Sequence, residues 1–508
     1  MRLNADERAN HTGQQKLARV PSMDQSIPNL VSTSDDPLKA GTDVLIIPVG
    51  GPESRGAIYD SVNAACDAEL DKTLDALGFT KATANTVTQT LVHDMVIMLV
   101  GLGDQPDLEA YRMAVGSAIQ QVPEGKRVAV AAGDEPVIAG AIAEGAVLGA
   151  YHFDRYRNVE QERLDEIVIV TKASAAVERA DVMATATALA RNLVNTPPAN
   201  KRPEDLADTI AGLLKDNNVS VTIRDQAWLE AHDGNGLLAV CRGSEHEPRL
   251  VELDYNPAGA ERHVVLVGKG ITFDTGGINL KPSQGMADMK SDMAGTAVVT
   301  AVMSALAALD VKVRVTGFCT IAENMPSGTA QRPSDVITMM NGKTVEVGNT
   351  DAEGRLVMAD GLVLGSRMKP DVIIDLATLT GAQIVVAGME IACVMGTADV
   401  AMDEFEEAAE TEGEEYIRLP LPKRYATGLK SNIADMNNIS GAGFGAGTIM
   451  AGMFLAEFVE EDTPWFHVDF AGPSFRDSVS GYLSPGGTGF GVRSLLAWLE
   501  TGNIPPRA

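Results

Sequence analysis

The chain has 508 residues, 45% of them hydrophobic and 22% charged, and a formal net charge of 41 − 69 = −28. At roughly 150 residues per domain this allows two to four domains with real cores. So acidic a balance opposes binding to nucleic acid or an anionic membrane through the general field, and suits a chain that holds multivalent cations.

Residues 1–40 are polar and contain no apolar run of the kind a secretory signal needs. We read 1–36 as a flexible leader. β-rich runs follow at 44–49, 95–100, 127–131 and 166–170, separated by Ala-rich stretches of helical period at 57–74 and 136–151. A longer helical pattern at 175–195 meets Pro197 and Pro198, which cannot continue a helix. The pattern restarts at Pro203, a favoured first helical position. Strands are expected at 219–223, 263–267, 312–320 and 371–376, and helices at 289–309 and 354–367. The acidic run 403–415 reads as a solvated helix face.

This alternation predicts an α/β protein of two domains. A smaller N-terminal α/β domain covers 37–174, a linker helix covers 175–200, and a larger C-terminal α/β domain covers 201–508. The second is expected to hold a mixed sheet flanked by helices. The longest apolar stretch, 446–459, is broken by Gly447, Gly452 and Glu457, short of the roughly 18 residues a membrane span needs. A soluble, cytoplasmic protein with no membrane partner is expected. Cys66, Cys241, Cys319 and Cys393 lie far apart with no CxxC pair, which excludes a disulfide scaffold and a thiolate zinc module. Each reads as a buried, reduced small hydrophobe.

GxSxG, HExxH and GxxxxGK[ST] motifs are absent, and the seven histidines are scattered singly. The glycine-rich run 441–447 follows no clear strand and reads as a close-packed, flexible loop. Two other segments carry chemistry. In 267–277, VGKGITFDTGG, a strand runs into glycines carrying Lys269 and delivers Asp274 before a Gly-Gly turn; Lys281 follows, and Asp292 opens a helix. Strand ends of this kind hold ligand sites in α/β proteins. In 349–356, NTDAEGRL, Asp351, Glu353 and Arg355 point to one side of an extended stretch. The two carboxylates converge only if the helix begins after them, at Gly354. If the segments meet, Asp274, Asp292, Asp351 and Glu353 place four negative charges together, which two divalent cations would balance. Hard oxygen ligands suit Mg²⁺ or Mn²⁺, and Zn²⁺ also accepts carboxylates.

These two segments resemble the signatures of the leucyl aminopeptidase (cytosol aminopeptidase) family, and NTDAEGRL is highly specific to it. The likeness extends over most of the second half, through Gly243-Ser244, Pro248 to Leu250, Ala377 to Gly381 and His467 to Gly472. The first half shares only a general α/β character. The resemblance implies a two-metal exopeptidase that releases N-terminal residues, Leu, Met and other apolar ones, from short peptides by attack of a metal-bridging hydroxide. One metal would be held by Asp274, Asp351 and Glu353. The other would be held by Lys269, as a neutral amine, with Asp274, Asp292 and Glu353. The two ions per subunit would be Mn²⁺ or Zn²⁺, with Mg²⁺ or Co²⁺ as alternatives.

Lys281 would polarise the scissile carbonyl, and Arg355 would hold a bicarbonate ion acting as general base. Met289, Thr378, Gly381 and Ala471 match the pocket for the first residue, and Asn349 a position near the substrate backbone. Thr275 stands where serine is common, and Ser474 where some members have a larger apolar residue. The family forms homohexamers. Two other readings stand beside it: a two-metal phosphoesterase using the same carboxylates, and a DNA-binding or regulatory protein, which the −28 charge opposes.

Overall fold

The alternating runs build two main sheets in a computed structural model that describes residues 27–50, 57–76, 83–92, 94–123, 125–158, 163–441, 443–460 and 462–507. The first sheet has six strands in the order Asn29–Thr33, Glu166–Val170, Val128–Ala131, Val44–Val49, Met95–Gly101 and Val87–Val92. All neighbours are parallel except the last pair. Such strands are covered on both faces and read as unbroken apolar runs. Leu45 and Ile47 pack with Tyr59 and Leu70, while Val44 and Ile46 pack with Val115 and Ile142 on the other face.

Two expectations change here. The leader ends earlier than expected, because Asn29–Thr33 forms the edge of the sheet. That strand is short and largely exposed, so it carries no apolar run to announce it. The rest of the leader, 1–26, lies outside the described residues. The helix expected over 57–74 divides into Ala57–Ala65 and Glu69–Ala76. Asp67 and Ala68 between them adopt φ of 52° and 61°, the left-handed conformation that ends a helix.

The second sheet has eight strands, in the order Glu415–Arg418, Ile391–Gly396, Trp465–Asp469, Val372–Ala377, His263–Asp274, Arg314–Asn324, Arg249–Tyr255 and Val219–Arg224. Its four central strands are parallel and have antiparallel neighbours on both sides, so the sheet is mixed as expected. Val264 and Leu266 face the helices Ser174–Asn195 and Ala294–Ala305. Val265 and Val267 face Gly354–Arg367. The carboxyl ends of the central strands, Asp274, Asn324, Ala377 and Asp469, lie along one edge. In an open α/β sheet this edge carries the ligand crevice.

The strand expected over 263–267 continues to Asp274, which puts Lys269 on the strand instead of a glycine loop. Gly268 serves a close approach there, since a Cβ on it would lie 2.6 Å from Gly295 O. The helix expected over 289–309 starts only at Ala294, after a 3-10 turn at Met286–Ser291. Asp292 therefore lies in the bend between turn and helix and does not open the helix.

The helix Ser174–Asn195 packs on Pro136–Gly149 and on Ala294–Ala305, and so joins the two sheets. The acidic run 403–415 is only partly a solvated face. Asp403, Glu407 and Glu410 are exposed, but Glu412 and Glu414 are buried. Glu412 accepts from Arg112 Nη2 and Arg179 Nη2, both at 3.1 Å. Glu414 accepts from Gly491 N at 3.0 Å and Ser494 N at 3.1 Å, at the start of the helix Val492–Thr501. Charges enter an interior only when paired in this way. All four cysteines are free and buried, as expected. Among the described residues no helix is long and apolar enough to cross a membrane.

Candidate metal centre

The helix Gly354–Arg367 starts immediately after Glu353, which leaves Asp351 and Glu353 free to converge. Carboxylate oxygens of Asp274, Asp351 and Glu353 lie within 4.8 Å of one another. Lys269 Nζ lies 2.8 Å from Asp292 Oδ1 and 3.0 Å from Glu353 Oε1. Lys281 Nζ lies 2.8 Å from Asp274 Oδ2 and 2.7 Å from Asp351 Oδ1. All four predicted carboxylates and both lysines thus meet at the strand ends. Gly354 makes this possible, because a Cβ there would sit 2.7 Å from Lys269 Nζ. Arg355 is buried and donates from Nη1 to Asn438 O at 2.7 Å.

Burial, and then the charge of Glu353, push the Asp274 carboxyl up to about 6. Burial pushes Asp292 up to about 8; Lys269 opposes this, and Glu353 and Asp274 add to it. Burial would also raise Glu353, but Lys269 and Lys281 outweigh it and hold this carboxyl below its usual value. A cluster in which carboxylates resist ionisation calls for more positive charge than two lysines supply. Asp292 Oδ2 and Glu353 Oε2 are buried and accept no hydrogen bond. Unsatisfied hard oxygens in a crowded anionic pocket fit divalent cations. Burial lowers Lys269, yet Asp292, Glu353 and Asp274 prevail and hold its ammonium above the ordinary lysine range. An ion taking those carboxylates would have to displace that proton.

Polar residues with no metal-ligand character hold the loops that carry these carboxylates. Asn324 Nδ2 donates to Asp274 Oδ1 at 2.8 Å and to Thr350 O at 3.1 Å. The Thr275 hydroxyl donates to Asn324 O at 2.8 Å, so the threonine that replaces serine keeps a working donor. Asn438 is fully buried. Its Oδ1 accepts from Gly348 N at 2.7 Å and Asn349 N at 3.2 Å. Its Nδ2 donates to Asn349 O at 2.7 Å and Ala352 O at 3.3 Å. One amide thus clamps the loop bearing Asp351 while its own carbonyl holds Arg355. The available signal was the polar pair Asn437-Asn438 beside an apolar helix, which contains no metal-ligand type. Asn438→Asp cannot donate to the two carbonyls; steady-state assays should show kcat/KM reduced about 10- to 100-fold, the usual cost of losing support behind a ligand.

The sequence profile of the cytosol aminopeptidase family, catalytic domain, matches residues 188–496, and that of the family's N-terminal domain matches 44–160. The chain belongs to the cytosol aminopeptidase family. A probable cytosol aminopeptidase of Micrococcus luteus is 42% identical, with 93% of this chain and 98% of the relative covered. The bottromycin maturation enzyme BotP, solved in complex with Mn, matches with a TM-score of 0.82 at 35% identity, over 90% of this chain and 99% of that one. A mutant of tomato leucine aminopeptidase matches with a TM-score of 0.83 at 29% identity, over 95% and 98%.

As a member of the cytosol aminopeptidase family, the protein is a metal-dependent aminopeptidase, a hydrolase acting on peptides. The likeness reaches further than the sequence motifs indicated, since the first half also matches the family's N-terminal domain. Of the residues expected around the substrate, Thr378, Met289 and Asn349 lie next to the carboxylates. Thr378 Oγ1 donates to Asp292 Oδ1 at 2.8 Å, and Thr378 O accepts from Lys269 at 3.0 Å. Asp469, also passed over in the sequence, accepts from Leu379 N at 3.1 Å and from Thr380 N and Ala471 N at 3.4 Å. That brings Ala471 beside the segment ending at Gly381, the exposed first residue of the helix Gly381–Ala387. Met289 is half-buried on the turn before Asp292. Asn349 Oδ1 accepts from Asp351 N at 2.8 Å, and Ser474 is buried with its hydroxyl on Ala471 O at 3.0 Å.

Proposed function

We propose that this protein releases N-terminal residues, preferentially Leu, Met and other apolar ones, from short peptides, using two divalent cations per subunit. The observation that carries this is the convergence of four carboxylates, two with orphaned buried oxygens, at the carboxyl ends of the parallel strands. Asp274, Asp351 and Glu353 would hold one ion, and Lys269, Asp274, Asp292 and Glu353 the other, with Mn²⁺ or Zn²⁺ fitting best and Mg²⁺ or Co²⁺ as alternatives. Such ions supply an activated water and a polarised carbonyl.

The chain's own groups do the rest. Lys281 has 22% of its side chain exposed against 3% for Lys269, so it is the lysine able to meet a substrate and to donate to the developing oxyanion. Arg355, with Nε unpartnered, is the group that would hold bicarbonate, a general base. Met289, Thr378, Gly381 and Ala471 would line the pocket for the first side chain, with Asn349 near the substrate backbone. Exposed Val385, Val386 and Met389 beside that pocket support assembly with further copies, a homohexamer in this reading. The relatives' name, cytosol aminopeptidase, supports a cytoplasmic place.

Chelation should abolish hydrolysis of leucine p-nitroanilide, and Mn²⁺ or Zn²⁺ should restore it. N-acetyl-leucine p-nitroanilide should stay intact throughout. Equal cleavage of the blocked substrate would overturn the exopeptidase reading. Turnover of phosphate esters with none of amino-acid anilides would move the site to phosphoryl chemistry.

A further inference from the structure

The helix Ser174–Asn195 ends at two prolines, and this leaves a specific deficit. The carbonyls of Leu193 and Val194 would accept from the amides of residues 197 and 198 in a continuing helix. Those residues are Pro197 and Pro198 and have no N–H to give. Lys201 makes up the loss. Its side chain is buried, and Nζ donates to Leu193 O at 3.0 Å and Val194 O at 2.8 Å. The negative end of the helix favours a cation at this place.

The third ammonium proton goes elsewhere. It is donated to Lys290 O at 2.7 Å, in the turn Met286–Ser291, one residue from Met289 and two from Asp292. Nζ also touches Met293 Sδ at 3.5 Å. Residues 282–285, which lead into the turn, are exposed. Asp292, which follows it, is held by Thr378 and Lys269. The segment around Met289 is thus pinned on one side by the metal residues and on the other by Lys201. Burial, and then the charge of Lys290, push Lys201 well below the usual lysine range; the three carbonyls around Nζ oppose this, one for each ammonium proton.

We propose that Lys201 is a positioning residue for substrate selection: by clamping Lys290 O to the end of the linker helix, it fixes Met289 in the pocket for the substrate's first side chain. This rests on the aminopeptidase reading and on the place given there to Met289. Lys201 touches neither substrate nor the reacting atoms. Its loss alters which N-terminal residue is preferred and leaves the bond-breaking step intact.

The test uses the full-length, metal-loaded protein with Lys201→Met, which removes all three donors, and Lys201→Gln, which keeps two. Leucine, methionine and alanine p-nitroanilides are assayed, and amide exchange is followed over 286–292. In Lys201→Met, kcat/KM for leucine and methionine should fall about tenfold, carried by KM, with alanine within about twofold, since apolar side-chain contacts discriminate by such factors. Exchange over 286–292 should quicken, and Lys201→Gln should fall between. An unchanged leucine-to-alanine ratio, or quickened exchange confined to 193–197, would reduce Lys201 to a helix cap and overturn the proposal. Should Lys201→Met not fold, Lys201→Gln is read by the same criteria. If the wild-type protein cleaves none of these substrates, the aminopeptidase reading falls and this proposal with it; altered exchange without altered selection in an active enzyme overturns this proposal alone.

Discussion

Glu353→Gln is expected to lower metal-restored hydrolysis of leucine p-nitroanilide by about 10³-fold or more, with little change in thermal stability. The amide keeps the volume of the side chain, so the start of the helix Gly354–Arg367 need not move. What it loses is charge at the point where the site concentrates it. Glu353 Oε1 lies 3.0 Å from Lys269, its Oε2 has no donor, and its carboxylate belongs to the same cluster as Asp274 and Asp351. Both proposed ions share this residue, so neither retains its full set of ligands. Loss of one preorganised electrostatic group at a reacting centre costs about 10²- to 10³-fold, and loss of a carboxylate shared by both proposed ions would weaken both sites as well. Titration calorimetry with Mn²⁺ should show two ions per subunit in the wild type and weaker binding, with at most one retained, in the variant. Full activity of Glu353→Gln with two ions still bound would remove Glu353 from the metal centre.

Arg112→Met should act on stability and leave the chemistry alone. Arg112 is 3% exposed, donates from Nε to Glu144 Oε2 at 2.7 Å, and pairs with Glu412 at 3.1 Å. Glu144 belongs to the first domain and Glu412 to the end of the acidic run in the second. Removing the guanidinium leaves Glu144 buried without its main partner and Glu412 with Arg179 at 3.1 Å, at a cost of about 3–5 kcal/mol. Arg179 and Arg493 lie within 3.8 Å of Glu144 and compensate in part, which puts the lower figure within reach. Scanning calorimetry should show an earlier transition, and a double variant with Glu144→Gln should recover part of the loss. If Arg112→Met melts like the wild type, the buried pairs do not hold the domains together.

Most of the carboxylate cluster was legible because its residues occur in two short segments whose geometry is local. Asp274 at a strand end, and Asp351 and Glu353 ahead of a helix that can begin only at Gly354, follow from strand and helix periods alone. Asn324, Asn438 and Asp469 were not legible. Each is an ordinary polar residue in sequence, and each matters only because folding buries it against a loop far away in the chain. The edge strand Asn29–Thr33 escaped for the opposite reason: an exposed edge needs no apolar pattern.

The amino-acid order alone accounts for the α/β class, the stop at Pro197, the buried reduced cysteines and the four carboxylates with their two lysines. These rest on periodicity, missing amide protons and charge, which are properties of neighbours along the chain. Folding decided which carboxylate each lysine meets, that Lys269 lies on a strand packed against Gly295, and that Glu412 and Glu414 leave an acidic surface run, the first to pair with arginines and the second to accept from interior backbone amides. Those outcomes depend on contacts made across the folded chain, up to 300 positions apart for Arg112 and Glu412, and on burial, which turns a solvated charge into a group that must find a partner.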